Sequence, residues 1–254
     1  MVTETNNLKA LVLRAYDVKE SSKMVDIFSR DLGRLSFMAR GAKRKGSPAT
    51  NLSQPYVEGI FNLVKGRSSF YFKDGQIEKA HLGLRQSVER LAGAQLGMEI
   101  LTKVIFSQAD PNIYDLTSAY LEALERADRI GVSRLLGAYI LKLISFLGFR
   151  PYLNTCVECG REIKEGPYFF SPDSGGMVCQ DHTGLGQVKK LSSDQYREVL
   201  QYMGKSFEDL LDGTRKENKD TYIGVDHIVL NYFLIHTGIE RLKSVGMLQA
   251  LGVL

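Results

Sequence analysis

Residues 8–16 read LKALVLRAY, the first of several short runs in which apolar side chains tend to alternate with others and β-branched or aromatic residues are frequent. Such alternation is typical of strands with one buried face. Similar runs occupy Met24–Ser29, Arg34–Ala39, Tyr56–Val64, Ser69–Lys73 and Gln76–Leu82. Glycine and proline fall between the runs, where turns are needed. This part of the chain is therefore predicted to form five or six strands of a small barrel or sandwich.

Beyond the strands, apolar residues recur at three- and four-residue spacing, which is the period of an amphipathic helix. The first such stretch is Leu84–Ser107, and a second begins at Pro111. A third, Val132–Phe149, is apolar over most of its circumference apart from Arg134 and Lys142. A helix with so little polar surface is expected at the centre of a helical domain.

The segment Arg150–Gly186 is rich in glycine, proline and cysteine, and it is too irregular to pack as a helix or sheet on its own. Something other than an apolar core must order it. Helical spacing resumes at Ser192, where Ser192 and Gln195 fit a capping box. The last helix is predicted from about Val225 to Val245.

The composition is that of a folded chain. Its 254 residues can bury a core, and 44% hydrophobic and 24% charged content are average for folded proteins. The amino terminus lacks the basic and apolar run of a signal peptide, and no stretch approaches the ~20 apolar residues of a membrane span. We therefore expect a cytoplasmic protein with no membrane attachment.

Positive charge is concentrated in the first third of the chain. Residues 1–80 hold 14 Lys and Arg against 8 Asp and Glu, a net charge of +6, although the whole chain carries only +4. The remainder has a net charge of −2. Such asymmetry points to an anionic partner, nucleic acid or a membrane surface, while a solvated basic face is the simpler alternative.

Two pairs of metal-ligand type, Cys156-x-x-Cys159 and Cys179-x-x-His182, are separated by 19 residues. This arrangement is typical of two knuckles that close a tetrahedral zinc site. Four protein ligands leave no position for water or substrate, so the zinc would be structural. The alternative is three buried cysteines and a stray histidine. His182 is the weakest member, because Asp181 beside it is another possible ligand.

Motifs of catalysis are missing from the sequence. Residues 41–47, GAKRKGS, begin like a phosphate-binding loop, but Ser47-Pro48 stands where Lys-Ser/Thr is required. None of the four histidines is followed by x-Glu, as a zinc deaminase requires. We therefore predict that the protein is not an enzyme.

A dense basic cluster follows the third predicted strand, in a loop bounded by glycines. Its members are Arg40, Lys43, Arg44 and Lys45. Two more basic residues, Lys65 and Arg67, occupy another turn of the same region. Basic loops beside aromatic-bearing strands suit single-stranded nucleic acid, because phosphate contacts and base stacking both tolerate any sequence.

Aromatic side chains of the same region are possible stacking partners for bases. They are Phe37, Tyr56, Phe70 and Tyr71. We expect them to fill the barrel instead, because the interior of a small barrel needs large side chains. For the basic cluster we favour contact with nucleic acid over the alternative of a charged edge that keeps the protein soluble.

Two groups of short motifs match a known family. The first group consists of Ala10–Arg14, Glu20–Lys23, Gly33–Leu35, Ala39–Arg44 and Leu52–Tyr56. The second consists of Gly148–Pro151, Leu153, Cys156, Cys159-Gly160, Phe170-Ser171, Gly175-Gly176 and Cys179. Together they span most of residues 8–182 and resemble the RecO family of DNA recombination mediators.

The resemblance implies an α+β chain of several domains, with an amino-terminal OB-fold, a helical domain and a zinc-bearing segment. We assign residues 1–82 to the OB-fold DNA-binding domain, 83–149 and 191–254 to the helical domain, and 150–190 to the zinc-binding segment. The implied zinc ligands are Cys156, Cys159 and Cys179, with His182 in place of a fourth cysteine.

The resemblance also implies a function at the nucleoid. The protein would bind single- and double-stranded DNA, anneal complementary strands and act with RecR to load RecA onto DNA coated by single-stranded-DNA-binding protein. The acidic, apolar tail of that coating protein would dock in the helical domain, in an apolar groove rimmed by Lys or Arg. The implied main DNA contacts are Arg40, Lys43, Arg44 and Lys45, and the secondary ones are Arg14, Arg34, Lys65 and Arg67.

Two alternatives from other classes stay open. One is a zinc-dependent nuclease, for which Asp173 and Asp181 are the carboxylates nearest the knuckles. The other is a protein-interaction scaffold whose basic loop is incidental.

Overall fold

In the computed structural model, which describes residues 4–67, 69–105, 108–184, 186–212 and 219–254, the first third of the chain closes into a five-stranded barrel. Its strands are β1 Glu4–Lys19, β2 Ser22–Ser29, β3 Gly33–Ala39, β4 Glu58–Lys65 and β5 Phe70–Lys79, and the short helix α1, Pro48–Leu52, lies between β3 and β4. The strand order is β1-β2-β3-β5-β4, closed by a parallel pairing of β3 with β5. This is an OB-like barrel, and the predicted α+β class is confirmed.

The last two predicted runs form one strand, so the barrel has five strands. β5 continues through Gly75, where the sequence predicts a turn. A Cβ at Gly75 would lie 2.5 Å from the carbonyl oxygen of Ile60 in β4. Gly75 therefore does not form a turn. It lies inside a strand, where the missing side chain lets β5 approach β4 closely.

Alternate side chains of the strands fill the barrel interior. The centre of the Phe37 ring lies 5.7 Å from that of Phe61 and 6.0 Å from that of Phe72. Phe70 packs against the same core. The expectation that barrel aromatics occupy the interior is confirmed for Phe37 and Phe70.

The chain divides into two compact units. Unit 1 comprises Met1–Gly83 and Leu101–Glu122, and unit 2 comprises Leu84–Ile100 and Ala123–Leu254. Helix α2 spans Val88–Val104 and α3 spans Pro111–Leu124, so most of α3 belongs to the unit of the barrel. The division into four segments drawn from the sequence stays a prediction.

Unit 2 is built around α4, Arg129–Phe146, as the sequence predicts. This helix contacts α5, Ser193–Gly204, α6, Phe207–Asp212, and α7, Lys219–Thr237. The capping box predicted at Ser192 begins α5. No helix in the described part of the chain is long and apolar enough to cross a membrane.

Two expectations for unit 2 are wrong. The last long helix ends at Thr237 because Gly238 adopts a φ of 66°, and a separate helix α8, Val245–Ala250, follows. The segment Arg150–Gly186, expected to be too irregular for a sheet, supplies two strands of a small sheet, β6 Tyr168–Ser171 and β7 Gly176–Val178. The third strand, β8 Lys189–Leu191, follows the segment, and the order is β7-β6-β8.

Candidate nucleic-acid interface and metal cluster

One end of the barrel gathers the predicted basic segments. The last residues of β3 pair with the first residues of β2 on one side, as Lys23 with Ala39, and with the first residues of β5 on the other, as Met38 with Tyr71. The β1–β2 turn, the loop after β3 and the β4–β5 turn therefore meet around the end of β3. In OB-folds, loops of this kind flank the surface that binds nucleic acid.

The loop after β3, which we call the basic loop, spans residues 40–46. Lys43, Arg44 and Lys45 are exposed in it. Lys43 Nζ lies 2.9 Å from Asp17 Oδ2 at the end of β1, and this hydrogen-bonded ion pair lowers the pKa of Asp17. Arg44 and Lys45 form no ion pair with any described residue. Their charges are therefore available to an anionic ligand.

The β4–β5 turn meets the basic loop at Tyr71. The guanidinium carbon of Arg40 lies 4.4 Å from the centre of the Tyr71 ring. Gly66 lies against the same ring, since a Cβ there would be 2.4 Å from a ring carbon. Lys65 and Arg67, which flank Gly66, are exposed. The structure thus brings two separate basic segments to one aromatic side chain.

Arg14 and Arg34, the other predicted contacts, surround a carboxylate that sequence reasoning missed. Arg14 Nε lies 2.5 Å and Arg34 Nη2 3.6 Å from Asp26 Oδ2, while Ser36 donates to Oδ1. Burial would raise the pKa of Asp26, but the hydrogen bonds from Ser36 and Arg14 and the nearby guanidinium groups lower it. These two arginines therefore share their charge with a buried carboxylate, unlike Arg44 and Lys45 of the basic loop.

The four predicted metal ligands meet in unit 2. The Sγ atoms of Cys156, Cys159 and Cys179 and a ring nitrogen of His182 all lie within 4.8 Å of one another and can hold a metal ion. Cys156 Sγ is 3.6 Å and Cys179 Sγ 3.1 Å from His182 Nδ1, and Cys159 Sγ is 3.9 Å from Cys179 Sγ.

Backbone hydrogen bonds shape each knuckle and join the two. The N–H of Gly160 donates to the carbonyl of Cys156 at 2.8 Å, and Gly160 has a φ of 73° that favours glycine. Between the knuckles, the N–H of Val157 donates to the carbonyl of Met177 at 2.9 Å. The local turns thus place the donors before any metal adds its own bonds.

The Cys156 thiol is prepared to lose its proton. Burial disfavours the thiolate, but backbone N–H groups of Cys179, Cys159 and Glu158 hydrogen-bond to the sulfur and lower the pKa of Cys156 to about 6. The thiolate is the form that binds a metal.

The carboxylates considered as alternative ligands have other partners. Asp181 Oδ2 lies 2.8 Å from Arg161 Nη1 at the surface. Asp173 accepts a hydrogen bond from the N–H of Gln187 at 3.1 Å. Neither belongs to the group of described residues that can hold a metal, and His182 is the fourth member of that group.

A groove of about 640 Å³ also opens in unit 2, between residues 148–155 and the end of α5. Leu153, Leu200 and Met203 supply apolar walls, and the exposed Arg150 adds a positive charge. This is the kind of surface that suits an extended apolar peptide with an anionic end.

The OB-like barrel, the helical unit and the Cys3His cluster together define a two-part α+β protein whose small barrel is of a type used for nucleic acids. Family models described as "Recombination protein O N terminal" and "Recombination protein O C terminal" match residues 1–81 and 85–244. The chain therefore belongs to the RecO family.

Relatives named "DNA repair protein RecO" cover most of the chain. The protein of Caldanaerobacter subterraneus subsp. tengcongensis is 29% identical over 221 residues, 85% of this chain and 88% of the relative. That of Exiguobacterium sp. is 30% identical over 77% of this chain and 76% of the relative. That of Exiguobacterium sibiricum is 33% identical over 68% and 69%. This membership supports a role in bacterial DNA repair and recombination.

Proposed function

We propose that the protein is a non-enzymatic recombination mediator that binds single- and double-stranded DNA, anneals complementary single strands and, with RecR, helps to load RecA onto DNA coated by single-stranded-DNA-binding protein. It acts in the cytoplasm, at the nucleoid. The observation that carries this proposal is the meeting of the basic loop and the β4–β5 turn at Tyr71, on an OB-like barrel. Membership of the RecO family supports the same role.

The charges at this end of the barrel suit a phosphate backbone. Arg44, Lys45, Lys65 and Arg67 are exposed and form no ion pair with a described residue. A protein that neutralises phosphates releases counterions, so its affinity falls with salt by a log–log slope of about −0.7 per phosphate on single strands. The number of engaged cations can therefore be read from the salt dependence.

The test is binding of fluorescent single-stranded DNA across a salt series. A Lys43→Ala/Arg44→Ala/Lys45→Ala variant should bind more weakly, with a slope shallower by about 2. A matched control, Lys164→Ala/Lys189→Ala/Lys190→Ala, removes the same net charge from exposed lysines of unit 2 and should keep the slope. Equal losses in the two variants would mean that net charge, and not the basic loop, binds DNA. A wild-type protein that binds no DNA would favour the scaffold alternative.

We infer that the Cys3His cluster holds a structural zinc ion. Tetrahedral zinc, with Zn–S of about 2.3 Å and Zn–N of about 2.0–2.1 Å, places two sulfurs about 3.8 Å apart and a sulfur and a nitrogen about 3.6 Å apart. The pairs Cys159–Cys179 and Cys156–His182, at 3.9 and 3.6 Å, match these distances, whereas Cys179–His182, at 3.1 Å, would have to lengthen when zinc binds. Bound zinc would join the two knuckles, and four protein ligands would leave no position for a reacting water.

The zinc assignment is tested by metal analysis and hydrogen exchange. Cys159→Ser should lose bound zinc and speed amide exchange across residues 150–190, because binding energy at a structural site is folding energy. Asp181→Asn, next to a ligand but bound to Arg161, should keep the metal. DNA cleavage by the zinc- or magnesium-loaded wild type would instead support the nuclease alternative.

We place the tail of the single-stranded-DNA-binding protein in the groove of unit 2. An acidic, apolar tail matches Leu153, Leu200 and Met203 beside Arg150. Arg150→Ala should therefore slow annealing of coated strands while annealing of bare strands is unchanged. Equal rates for wild type and variant on coated strands would remove this assignment.

A further inference from the structure

Four side chains of the barrel form an unbroken row across four strands. Tyr16 of β1 pairs with Met24 of β2, Met24 with Met38 of β3, and Met38 with Tyr71 of β5. We call Tyr16, Met24, Met38 and Tyr71 the outer row. Successive residues of a strand point to opposite faces, so the direction of the row follows from its sequence neighbours.

Those neighbours point into the barrel. Val25 and Phe37 are fully buried members of its core, and Ala15 and Phe70 pack against that core. The outer row therefore faces away from the interior. Tyr16 is 48% exposed, and Met24, Met38 and Tyr71 are half-buried.

An apolar and aromatic row on the outside of a barrel is unexpected for a surface that meets only water. Antiparallel sheets with one solvated face carry polar side chains on that face. Here two tyrosines and two methionines lie side by side. Methionine adapts its shape and makes favourable contacts with aromatic rings, which suits a surface that receives flat ligands of several shapes.

A cation stands at each end of the row. The guanidinium carbon of Arg14 is 5.8 Å from the centre of the Tyr16 ring, and that of Arg40 is 4.4 Å from the centre of the Tyr71 ring. Arg14 also pairs with Asp26, so the positive charge available to a ligand lies mainly at the Tyr71 end, where the basic loop and the β4–β5 turn are exposed. Ligands that combine flat apolar groups with negative charge therefore fit this face better than an uncharged peptide does.

We propose that the outer row is the surface on which bases of single-stranded DNA stack while the basic loop holds the phosphates. This inference rests on the proposed function and adds to it the prediction that single strands make contacts with the barrel that a duplex cannot make. Bases of a duplex are already stacked on one another and cannot spread over a protein surface. Three strand spacings of about 4.8 Å make the row about 14 Å wide, which suits two or three bases.

Gly66 helps to position the row. The Tyr71 ring occupies the place where a Cβ of residue 66 would be, 2.4 Å from a ring carbon. A side chain at this position would push the ring away from its place beside Met38 and Arg40. Gly66 therefore does more than form the β4–β5 turn: it also leaves room for the Tyr71 ring in the outer row.

The test compares base-bearing single strands with abasic strands of the same length, which keep the phosphates and lose the bases. Wild type should bind the base-bearing strand more tightly. Tyr16→Ala should lose about five- to a hundredfold in affinity for that strand, with its salt slope unchanged. Its affinity for abasic strands and for duplex DNA should stay within about twofold. Tyr16→Phe, which keeps the ring, should bind the base-bearing strand as tightly as wild type does.

Leu32→Ala is the matched control. Leu32 is 48% exposed in the β2–β3 turn, at the opposite end of this hairpin from the outer row. Its replacement should leave the affinity for every DNA unchanged. A similar loss in this variant would mean that the apolar surface of the barrel acts without regard to position, which would overturn the proposal.

The comparison of base-bearing with abasic strands uses the wild-type protein, so it does not depend on whether a variant folds. Equal affinity for base-bearing and abasic strands overturns the stacking surface but leaves the phosphate contacts intact, and it would assign the row to a protein partner. Binding of neither strand removes the proposed function itself. The two failures are therefore distinguishable.

Discussion

Glu58 in unit 1 and Asp226 in unit 2 are both buried carboxyl groups, each 1% exposed, but their partners differ. Glu58 Oε1 lies 2.9 Å from His81 Nε2, and Oε2 accepts a hydrogen bond from a serine hydroxyl at 2.8 Å. Asp226 accepts hydrogen bonds from the hydroxyl groups of Ser133 and Tyr202.

The pKa values of the two carboxyl groups consequently shift in opposite directions. Burial raises the pKa of Glu58, but hydrogen bonds from His81 and Ser118 and the nearby positive charge outweigh it, and the pKa is lowered. Burial also raises the pKa of Asp226, and two hydroxyl donors do not offset it, so this pKa stays well above its ordinary value. The charge of the hydrogen-bond partners, together with the depth of burial, therefore sets the direction in which the pKa of a buried acid shifts.

The largest effect is expected at a third buried acid, Glu198, because its partner is an arginine, which stays charged at every pH of interest. Glu198 Oε1 and Oε2 lie 2.5 and 2.9 Å from Nε and Nη2 of the fully buried Arg134. Glu198→Gln should destabilise unit 2 by about 3–5 kcal/mol, since it leaves a buried guanidinium without its counter-charge. Urea unfolding followed by circular dichroism measures this, because the chain has no tryptophan to report by fluorescence.

The control for this variant is Glu208→Gln, in the exposed ion pair with Arg126. Exposed pairs contribute little, so its unfolding curve should match wild type. An Arg134→Met/Glu198→Leu double variant should recover most of the stability. Equal effects of Glu198→Gln and Glu208→Gln would contradict the explanation.

Removal of the charge at Glu58 should have a smaller effect. Glu58→Gln leaves His81 and Ser118 with a neutral partner, at a cost of about 1–3 kcal/mol to unit 1. Hydrogen exchange of barrel amides measures the loss separately from unit 2. Glu122→Gln, in the exposed pair with Lys79, is the control. Faster exchange in unit 2 alone would show that the network has been assigned to the wrong unit.

The pH dependence of stability should have opposite signs for the two acids. The lowered pKa of Glu58 stabilises unit 1 above the ordinary value of 4.5, and this contribution is lost as pH falls through the folded-state pKa. The raised pKa of Asp226 stabilises unit 2 below the ordinary value of 3.8, and this contribution is lost as pH rises toward the folded-state pKa. Hydrogen exchange at several pH values checks both; parallel trends in the two units would refute the assignment.

The smallest effect is expected for Asp226→Asn. The raised pKa of Asp226 favours its protonated form, which a neutral amide resembles, so stability should change by no more than about 1 kcal/mol. The variant should also lose the decline of unit 2 stability with rising pH. A loss comparable to that of Glu198→Gln would mean that Asp226 is ionised in the folded protein.

Features that depend on neighbouring residues could be predicted from the sequence. The capping box at Ser192, the strands of the barrel and the two ligand pairs each follow from spacing within a few residues. Arg134 was different. Its burial depends on Glu198, 64 residues away, so no local pattern distinguishes it from an exposed arginine.

The outer row could not be predicted from the sequence either, because it also depends on residues far apart in the chain. Met24 and Met38 lie in apolar runs, and only strand register decides which apolar side chains face the core and which face outward. Tyr71 follows the core residue Phe70 in the same run, so the expectation that it fills the barrel is wrong. Composition indicates how much apolar surface a barrel has, but pairing decides where it lies.

The closure of the barrel has a consequence for the order of folding. Among the described residues, β3 and β5 are joined by the pairs Phe37–Phe70 and Met38–Tyr71, whereas β2 and β3 share seven pairs. Hairpins join residues near in sequence and form early. The β1–β4 pairing joins residues 47 to 60 positions apart and this parallel seam joins residues 33 positions apart, so the barrel should close only after its hairpins have formed. Until it closes, the chain presents two unpaired strand edges that can capture another copy. The backbone amides of the β3–β5 pairing should therefore be the first of the barrel to exchange with solvent. Slow closure of the barrel should appear as aggregation when the protein is refolded at high concentration.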